Sequence, residues 1–222
     1  MQILWEKPAL LLEDAVIIGD LHIGLEQTLS YKGVHLPSST TRMQEKIISI
    51  IKESKAKKLI LLGDLKHRIA SVSQQEAKEI PEFLETLSSH AEIIIVLGNH
   101  DGGLKQYLKK FEVHPSSGFV YKKQCLIHGS AKPLEKHLKK SDGIIASHWH
   151  PVYEFKDSLG GRNTEKIWVR AKAMDKPMLI IPSFNPLLGG VHVSRIKEKW
   201  VDLENAELYL MDGVFLGKMD KR

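Results

Sequence analysis

The chain has 222 residues, of which 42% are hydrophobic and 27% charged, a composition that excludes a disordered chain and allows an ordinary core. The single cysteine, Cys125, excludes a disulfide framework and a thiolate metal cluster, and it favours a reducing compartment. Apolar runs stay far below the roughly 18 residues of a membrane span, and no signal peptide is evident, so we expect a soluble cytoplasmic protein without membrane contact.

The net charge of +5 is unevenly distributed along the chain. Residues 1–111 hold 14 basic and 14 acidic side chains, whereas residues 112–222 hold 18 and 13. This excess has two interpretations: an ordinary lysine-rich surface, or a face for a polyanion such as nucleic acid. Charge alone does not decide between them.

Short apolar runs alternate with helical patterns in the first half. Strands are predicted at 15–19, 59–63 and 93–97. A helix is predicted to begin at Ser38 or Ser39, and another spans about 73–88, where Pro81 should start, kink or interrupt it. The alternation indicates α/β architecture with a largely parallel sheet.

The second half has shorter and more numerous strand patterns. Strands are predicted at 118–121, 124–127, 143–146 and 178–181, with a modest helix at about 132–140. The segments 206–210 and 214–216 flank a turn at Gly213 and predict a hairpin. The stretch 156–176, which contains Gly160-Gly161, is interpreted as a surface loop. We predict one domain, residues 1–222, that contains two sheets.

Polar side chains follow five of these strands at the point where each ends. The carboxyl ends of strands are where α/β sheets bind ligands, so we expect these side chains to converge. The pairs separated by two residues place both side chains on one side of an extended segment. In chain order the residues are Asp20 and His22, Asp64, Asn99 and His100, His128, and His148 and His150.

The convergent side chains offer imidazole nitrogens and carboxylate or amide oxygens, without sulfur. Such a set suits manganese, iron, cobalt or zinc. It is too large for one ion, and a carboxylate shared by two ions would account for the surplus. Asp64 lies near the middle of the series and is the candidate for that bridge. Two divalent ions, with manganese favoured, could then serve an in-line displacement at phosphorus.

The ordered motifs resemble the calcineurin-like metallophosphoesterase superfamily. That resemblance implies a two-sheet sandwich flanked by helices, with a dinuclear site at one edge. The segment from Asp20 to Glu26 and the later 182–186 segment are similar to one branch, the ligase-associated DNA-damage-response phosphoesterases and their archaeal relatives. The motifs are Asp20-Leu21-His22, Gly63-Asp64-Leu65-Lys66-His67, Gly98-Asn99-His100-Asp101, His128-Gly129 and His148-Trp149-His150-Pro151.

The resemblance also implies a role for each residue. Asp64 would bridge the ions, His100 would stabilise charge on the scissile phosphate or protonate the leaving oxygen, and Asp101 would orient His100. His67 would support the site. Apart from the resemblance, the charge of Arg170 makes it a candidate for substrate phosphate, with an exposed strand position as the equal alternative. The metal ligands would be Asp20, His22 and His150 for one ion, and Asn99, His128 and His148 for the other.

The predicted function is a metal-dependent phosphodiesterase that uses a metal-bridging hydroxide for in-line attack on nucleic acid, as a nuclease related to DNA repair. Hydrolysis of a small phosphodiester, nucleotide or pyrophosphate is the alternative. A non-catalytic scaffold with this fold is a further alternative, but scaffolds tend to lose ligands and here the full set is present. A helicase or ligase partner is implied by the branch resemblance alone.

Overall fold

The computed structural model describes residues 1–219, so residues 220–222 of the predicted domain lie outside it. The first sheet has six strands: β1 (Gln2–Leu4), β2 (Ala9–Leu12), β3 (Ala15–Ile18), β4 (Lys58–Leu62), β5 (Glu92–Val96) and β6 (Glu112–His114). They lie in that order across the sheet. Strands β3 to β6 are parallel, and β1 and β2 add an antiparallel edge. The three strands predicted in the first half are confirmed as β3, β4 and β5.

The second sheet has nine strands: β7 (Phe119–Tyr121), β8 (Gln124–Leu126), β9 (Gly143–Ala146), β10 (Pro151–Lys156), β11 (Arg162–Ala173), β12 (Lys176–Ile180), β13 (Val191–His192), β14 (Val201–Leu210) and β15 (Phe215–Lys218). Their order is β13-β10-β11-β12-β9-β8-β7, and β14 pairs with β11 and with β15. The central strands β12, β9 and β8 are parallel, so their carboxyl ends share one edge. The predicted hairpin at Gly213 is confirmed between β14 and β15, with φ 93° at that glycine.

The two sheets pack face to face and enclose a shared core. The period-two alternation of β3 divides its side chains between two environments. Ile17 packs in the interior with Trp168 and Ile145 of the second sheet, whereas Ile18 packs on the outer face of the first sheet. Full burial of each such side chain contributes roughly 1.5–3 kcal/mol. The predicted two-sheet sandwich is therefore confirmed.

The two long helices cover the outer face of the first sheet. The helices are α1 (Leu25–Ser30), α2 (Thr40–Ser54), α3 (Gln74–Ser88) and α4 (Glu135–Leu138). Ser39 is the N-cap of α2, as predicted, and Ile47 and Phe83 pack from α2 and α3 onto the sheet. Within residues 1–219, no helix combines the length and apolarity required to cross a bilayer.

Helix α3 neither starts at Pro81 nor is interrupted there, which corrects two of the three outcomes expected for that residue. Proline removes one intrahelical hydrogen bond and costs about 3 kcal/mol in a helix interior, but the helix runs continuously from Gln74 to Ser88. A capping box between Ser73 and Glu76 fixes its start, and the buried side chains on either side of Pro81 anchor its middle to the sheet. Tertiary packing thus outweighs the local penalty.

The stretch 156–176 is also different from its prediction as a surface loop. Most of it is strand β11, which pairs with β10, β12 and β14. Gly160-Gly161 belongs to the turn of the β10–β11 hairpin rather than to a long excursion. The first residues of β11, Arg162–Glu165, are exposed and polar, so they lack the apolar alternation by which a strand is identified.

Candidate metal centre

The carboxyl ends of strands from both sheets meet at one edge of the sandwich. In the first sheet, Asp20 follows β3, Asp64 follows β4 and Asn99 follows β5; in the second, His128 follows β8 and His148 follows β9. A hydrogen bond joins the two sheets here, because the His148 amide N–H donates to both Asp20 carboxylate oxygens, at 3.2 and 3.1 Å. The structure thus brings together side chains that lie up to 130 residues apart in the sequence.

Besides a group formed by His22, His67 and His100, two further groups of side chains at this edge could each hold a metal ion, and Asp64 belongs to both of these. Within a group, one ligand atom of each residue lies within 4.8 Å of the others. Asp64 Oδ2 lies 3.4 Å from His22 Nε2, and Asp64 Oδ1 lies 3.2 Å from His128 Nε2. The two carboxylate oxygens therefore face different groups. The first group is Asp20, His22, Asp64 and His150, and the second is Asp64, His128 and His148.

Asn99 lies beside the second group. Its Oδ1 is 3.2 Å from His128 Nε2, so the amide oxygen extends that group to four ligands. In the first group, His150 Nε2 lies 3.3 Å from Asp20 Oδ1. The seven residues that the resemblance implies as ligands are thus all found in these two groups.

The nitrogens of the site fit a bound cation. Within residues 1–219, three buried imidazole nitrogens here make no hydrogen bond: His22 Nε2, His148 Nδ1 and His150 Nε2. An unsatisfied buried polar atom costs about 1–3 kcal/mol, and coordination would use all three lone pairs. Because the donors are nitrogen and oxygen, the set suits manganese, iron, cobalt or zinc. Cys125 lies in the core of the second sheet, where burial raises the pKa of its thiol to about 11.

The electrostatics of the site keep most ligands in forms that bind cations. Burial lowers the pKa of His22 to about 3 and that of His148 to about 4, so both imidazoles are neutral at pH 7. Burial acts to raise the pKa of Asp20 and Asp64, but neighbouring imidazoles outweigh it and hold both carboxyl groups below their ordinary pKa. Neutral imidazoles and ionised carboxylates are the species that coordinate metal ions.

The pKa of His128 shows how strongly negative the electrostatic potential of the site is. Burial acts to lower its pKa, but the hydrogen bond to Asp64 and the charges of Asp20 and Asp64 outweigh burial and raise it to about 9. The field that holds a proton on this buried ring would equally attract a metal cation. Metal binding in a site of this kind releases the proton.

Five of the seven candidate ligands have backbones in the left-handed region, where residues other than glycine are uncommon. Each such conformation costs about 1 kcal/mol or more, and strained residues concentrate at functional sites. The turns aim successive side chains at one point directly after the strands end. The residues and their φ values are Asp20 (58°), His22 (43°), Asp64 (52°), His148 (74°) and His150 (44°).

His100 reaches the same site from the loop after β5. Its Nδ1–H donates to the carbonyl oxygen of His67 at 2.5 Å, and its amide N–H donates to Asp64 Oδ1 at 2.9 Å. The remaining ring nitrogen, Nε2, lies 3.8 Å from Asp64 Oδ2. His67 also places its Nδ1 3.3 Å from His22 Nδ1. His67 therefore contacts a candidate ligand through its ring and His100 through its backbone.

Asp101 does not orient His100, which corrects the role that the resemblance implies. Its buried carboxylate accepts backbone N–H groups of Leu65 (2.8 Å), Lys66 (3.3 Å) and Gly98 (2.7 Å). No hydrogen bond within residues 1–219 joins it to the His100 ring. Asp101 instead ties the loop after β4 to the loop after β5, and burial raises its pKa.

The loop 67–73 is held by two buried charges that sequence analysis did not single out. The Lys66 ammonium donates to the carbonyl oxygens of Arg68, Ile69 (3.4 Å) and Ser71 (3.3 Å). The Glu76 carboxylate accepts the amide N–H of His67, at 3.0 Å, as well as those of Arg68 and Ser73. The spacing Ser73-x-x-Glu76 is a capping-box signal from which Glu76 could have been found.

The loop 182–186, which the sequence analysis used only for the resemblance to one branch, also supports the site. The Asn185 side-chain amide donates to the Leu21 carbonyl oxygen at 2.8 Å, and its backbone N–H donates to that of Asp20 at 3.3 Å. Lys166 Nζ donates to the carbonyl oxygens of Ser183 (2.9 Å) and Asn185 (2.5 Å), and burial lowers the pKa of this lysine to about 8. The loop therefore fixes the turn that carries Asp20.

Ser147 directly precedes the candidate ligand His148. Its hydroxyl donates to the Leu62 carbonyl oxygen at 2.5 Å and lies 3.2 Å from His128 Nδ1. Gly19, which follows β3 in the first sheet, lies opposite Ser147, and a Cβ on Gly19 would lie 2.6 Å from the Ser147 Cβ. The serine fits because Gly19 leaves it room, and it contacts the ring of a candidate ligand.

Arg170 lies away from the site, which corrects its candidacy for the substrate phosphate. Its guanidinium lies 5.0 Å from the ring centroid of Tyr209, and it lines a cavity of about 530 Å³ with Lys172, Asp202 and Lys218. None of the candidate ligands lines that cavity. The alternative interpretation, an exposed strand residue, describes it correctly.

Comparison with protein families matches residues 15–180 to the family described as calcineurin-like phosphoesterase. This range includes every candidate ligand from Asp20 to His150. Comparison with curated protein sequences gives no match.

The solved structures that align with the chain include those of three proteins. The nuclease MPE of Pseudomonas putida aligns with a TM-score of 0.62 and 22% identity, over 90% of this chain and 85% of that one. YfcE, a phosphoesterase from E. coli, aligns with a TM-score of 0.44 and 18% identity, over 94% of this chain and 99% of that one. A predicted phosphoesterase from Streptococcus pneumoniae TIGR4 aligns with a TM-score of 0.36 and 11% identity, over 90% of this chain and 91% of that one. The alignment with MPE shows a shared fold.

Proposed function

Because the chain belongs to the calcineurin-like phosphoesterase family, it is a metal-dependent phosphoric ester hydrolase, and we propose that it is a dinuclear phosphodiesterase acting on nucleic acid. The observation that carries the dinuclear site is the position of Asp64, whose two oxygens face His22 on one side and His128 on the other. A carboxylate in that position can bridge two cations.

The proposed ligands divide between two ions as the two groups do. Bound there, two divalent ions, with manganese favoured, would act as Lewis acids on the phosphoryl group and lower the pKa of the attacking water. Asp64 would contact both ions. The other ligands would be Asp20, His22 and His150 for one ion, and Asn99, His128 and His148 for the other.

His100 is the proposed catalytic residue of the chain itself. Since its Nδ1–H is committed to the His67 carbonyl oxygen, Nε2 is the nitrogen that faces the site. On a protonated ring, Nε2–H would donate to a phosphoryl oxygen or to the departing oxygen. The loop held by Lys66 and Glu76 would keep the ring in place, because that loop carries the accepting carbonyl group.

Nucleic acid is the proposed substrate on two grounds. The second half of the chain carries the whole net charge of +5, which favours a polyanion. The motifs also resemble the branch associated with DNA damage, so we propose DNA, in a repair context, as the first nucleic acid to test. The similar fold of a protein named as a nuclease is compatible with this choice.

A panel of labelled single-stranded and branched DNA in Mn²⁺ tests the substrate class. We expect cleavage of at least one polynucleotide, with kcat/KM falling steeply between about 50 and 200 mM salt because phosphate contacts release counterions. The control is bis-p-nitrophenyl phosphate, a small diester whose hydrolysis should show little salt dependence. Hydrolysis of small diesters or nucleotides without any polynucleotide cleavage would favour the small-molecule alternative.

A further inference from the structure

A polar cleft lies beside the candidate metal centre and is separate from it. It has a volume of about 290 Å³, and none of the candidate ligands lines it. Its nearest lining residue on β10, Val152, is two residues from His150, which corresponds to about 7 Å along a strand. The residues that line it are Val152, Glu154, Thr164, Gly190, His192, Ser194 and Arg195.

The short strand β13 connects this cleft rigidly to the centre. The Val191 amide N–H donates to the His150 carbonyl oxygen at 3.1 Å, and Val152 pairs with His192 in the parallel ladder. Gly190 lies so close to His150 and Val152 that a Cβ would overlap both, so the backbone approach requires glycine. The cleft and the His150 side chain are therefore held in fixed relation.

The cleft is rich in hydrogen-bond donors. Arg195 is exposed and, within residues 1–219, its guanidinium makes no hydrogen bond or ion pair. The Ser194 amide N–H donates to His192 Nδ1, so a neutral His192 ring carries its proton on Nε2 as a further donor. Thr164 adds a hydroxyl group, whereas the Ser194 hydroxyl donates to His192 Nδ1 at 2.8 Å and so keeps that ring proton on Nε2. The carboxylate of the cleft, Glu154, is paired with Arg162 at 3.2 Å, which leaves the Arg195 charge uncompensated.

We propose that this cleft binds a phosphate of the polynucleotide strand adjacent to the phosphodiester at the metal centre, with Arg195 as its main charged contact. Guanidinium, imidazole N–H and hydroxyl groups are the donors that recognise phosphate. The inference rests on the proposed function. A substrate with a single phosphodiester cannot occupy the centre and the cleft together, so the cleft would act only on longer substrates.

The test compares Arg195→Gln with Lys172→Gln, which removes the same charge from a different cavity. Steady-state kcat and KM are measured in Mn²⁺ on a labelled single-stranded oligonucleotide, a dinucleoside monophosphate and bis-p-nitrophenyl phosphate. For Arg195→Gln we expect the oligonucleotide KM to rise about three- to tenfold with kcat unchanged, and the salt slope of kcat/KM to fall by about one. Both single-diester substrates should be hydrolysed as by the wild type, and Lys172→Gln should match the wild type throughout.

The outcomes separate this subsite from the function on which it rests. If the wild type cleaves the oligonucleotide and the two variants have the same KM, the subsite is wrong and the proposed function stands. An equal defect of Arg195→Gln on all three substrates would also overturn the subsite, since Arg195 would then act on the centre. If the wild type cleaves no polynucleotide, the proposed function and the subsite fail together.

Discussion

Replacement of Asp64 by asparagine is expected to lower kcat/KM for bis-p-nitrophenyl phosphate by about 10³-fold or more in Mn²⁺. The bridging role requires two anionic oxygens, and surrounding imidazoles hold the pKa of this carboxyl group below its ordinary value, so it is ionised at pH 7. Asparagine keeps the shape but removes the charge and one acceptor, and loss of metal-centred stabilisation is worth several kcal/mol. Calorimetric titration with Mn²⁺ should show fewer than two ions bound.

Asp175→Asn is the matched control for this substitution. Asp175 is exposed in the turn before β12 and, like Asp64, has a left-handed backbone, with φ 62° against 52°. Asparagine tolerates that conformation, so neither variant should unfold because of backbone strain. An Asp64→Asn protein that binds two ions and keeps activity within tenfold of the control would contradict the bridging role.

Replacement of His100 by alanine should lower turnover by about 10²- to 10⁴-fold while two Mn²⁺ ions still bind. The ring faces the site through Nε2 and is held by the His67 carbonyl group, but it belongs to neither of the two proposed ligand sets. Loss of metal binding in His100→Ala would reassign this residue as a ligand. His90→Ala, an exposed position after α3, is the control.

The choice of leaving group separates the two roles proposed for His100. If the ring protonates the departing oxygen, the defect should be large for a nucleoside leaving group and small for p-nitrophenolate, which departs without a proton. If the ring stabilises charge on the phosphoryl group, both substrates should show the same defect. Kinetics of His100→Ala on both substrates therefore assign the role.

The order of polar residues after apolar strands was sufficient to predict the convergence of the ligand candidates, and the two-sheet sandwich is what the resemblance of those motifs implies. Each strand, such as β3, is recognised by its apolar run, and the polar residue that follows it can be identified from the local sequence alone. The role of Asp101 could not be found in this way, because its carboxylate bonds to the backbone of a loop 36 residues earlier in the chain. The left-handed backbones of Asp20 and Asp64 also have no signature in the sequence.

Supporting residues were missed where their function depends on burial. Lys66 and Lys166 read as ordinary surface lysines, but both ammonium groups lie among main-chain carbonyl oxygens of loops that hold the site. The sequence predicts a loop where strand β11 lies, because the exposed end of that strand is polar. Arg170 received a functional interpretation from charge alone, and only the fold shows that it packs on Tyr209.

Metal dependence is tested most directly by hydrolysis of bis-p-nitrophenyl phosphate before and after removal of metal. Protein stripped with EDTA and dialysed is expected to lose at least about 99% of its activity, because the metal supplies several kcal/mol of transition-state stabilisation. Addition of Mn²⁺ should restore activity, with saturation at two ions per chain. Stripped protein that hydrolyses the diester as fast as the reloaded protein would contradict a metal-dependent centre at Asp64.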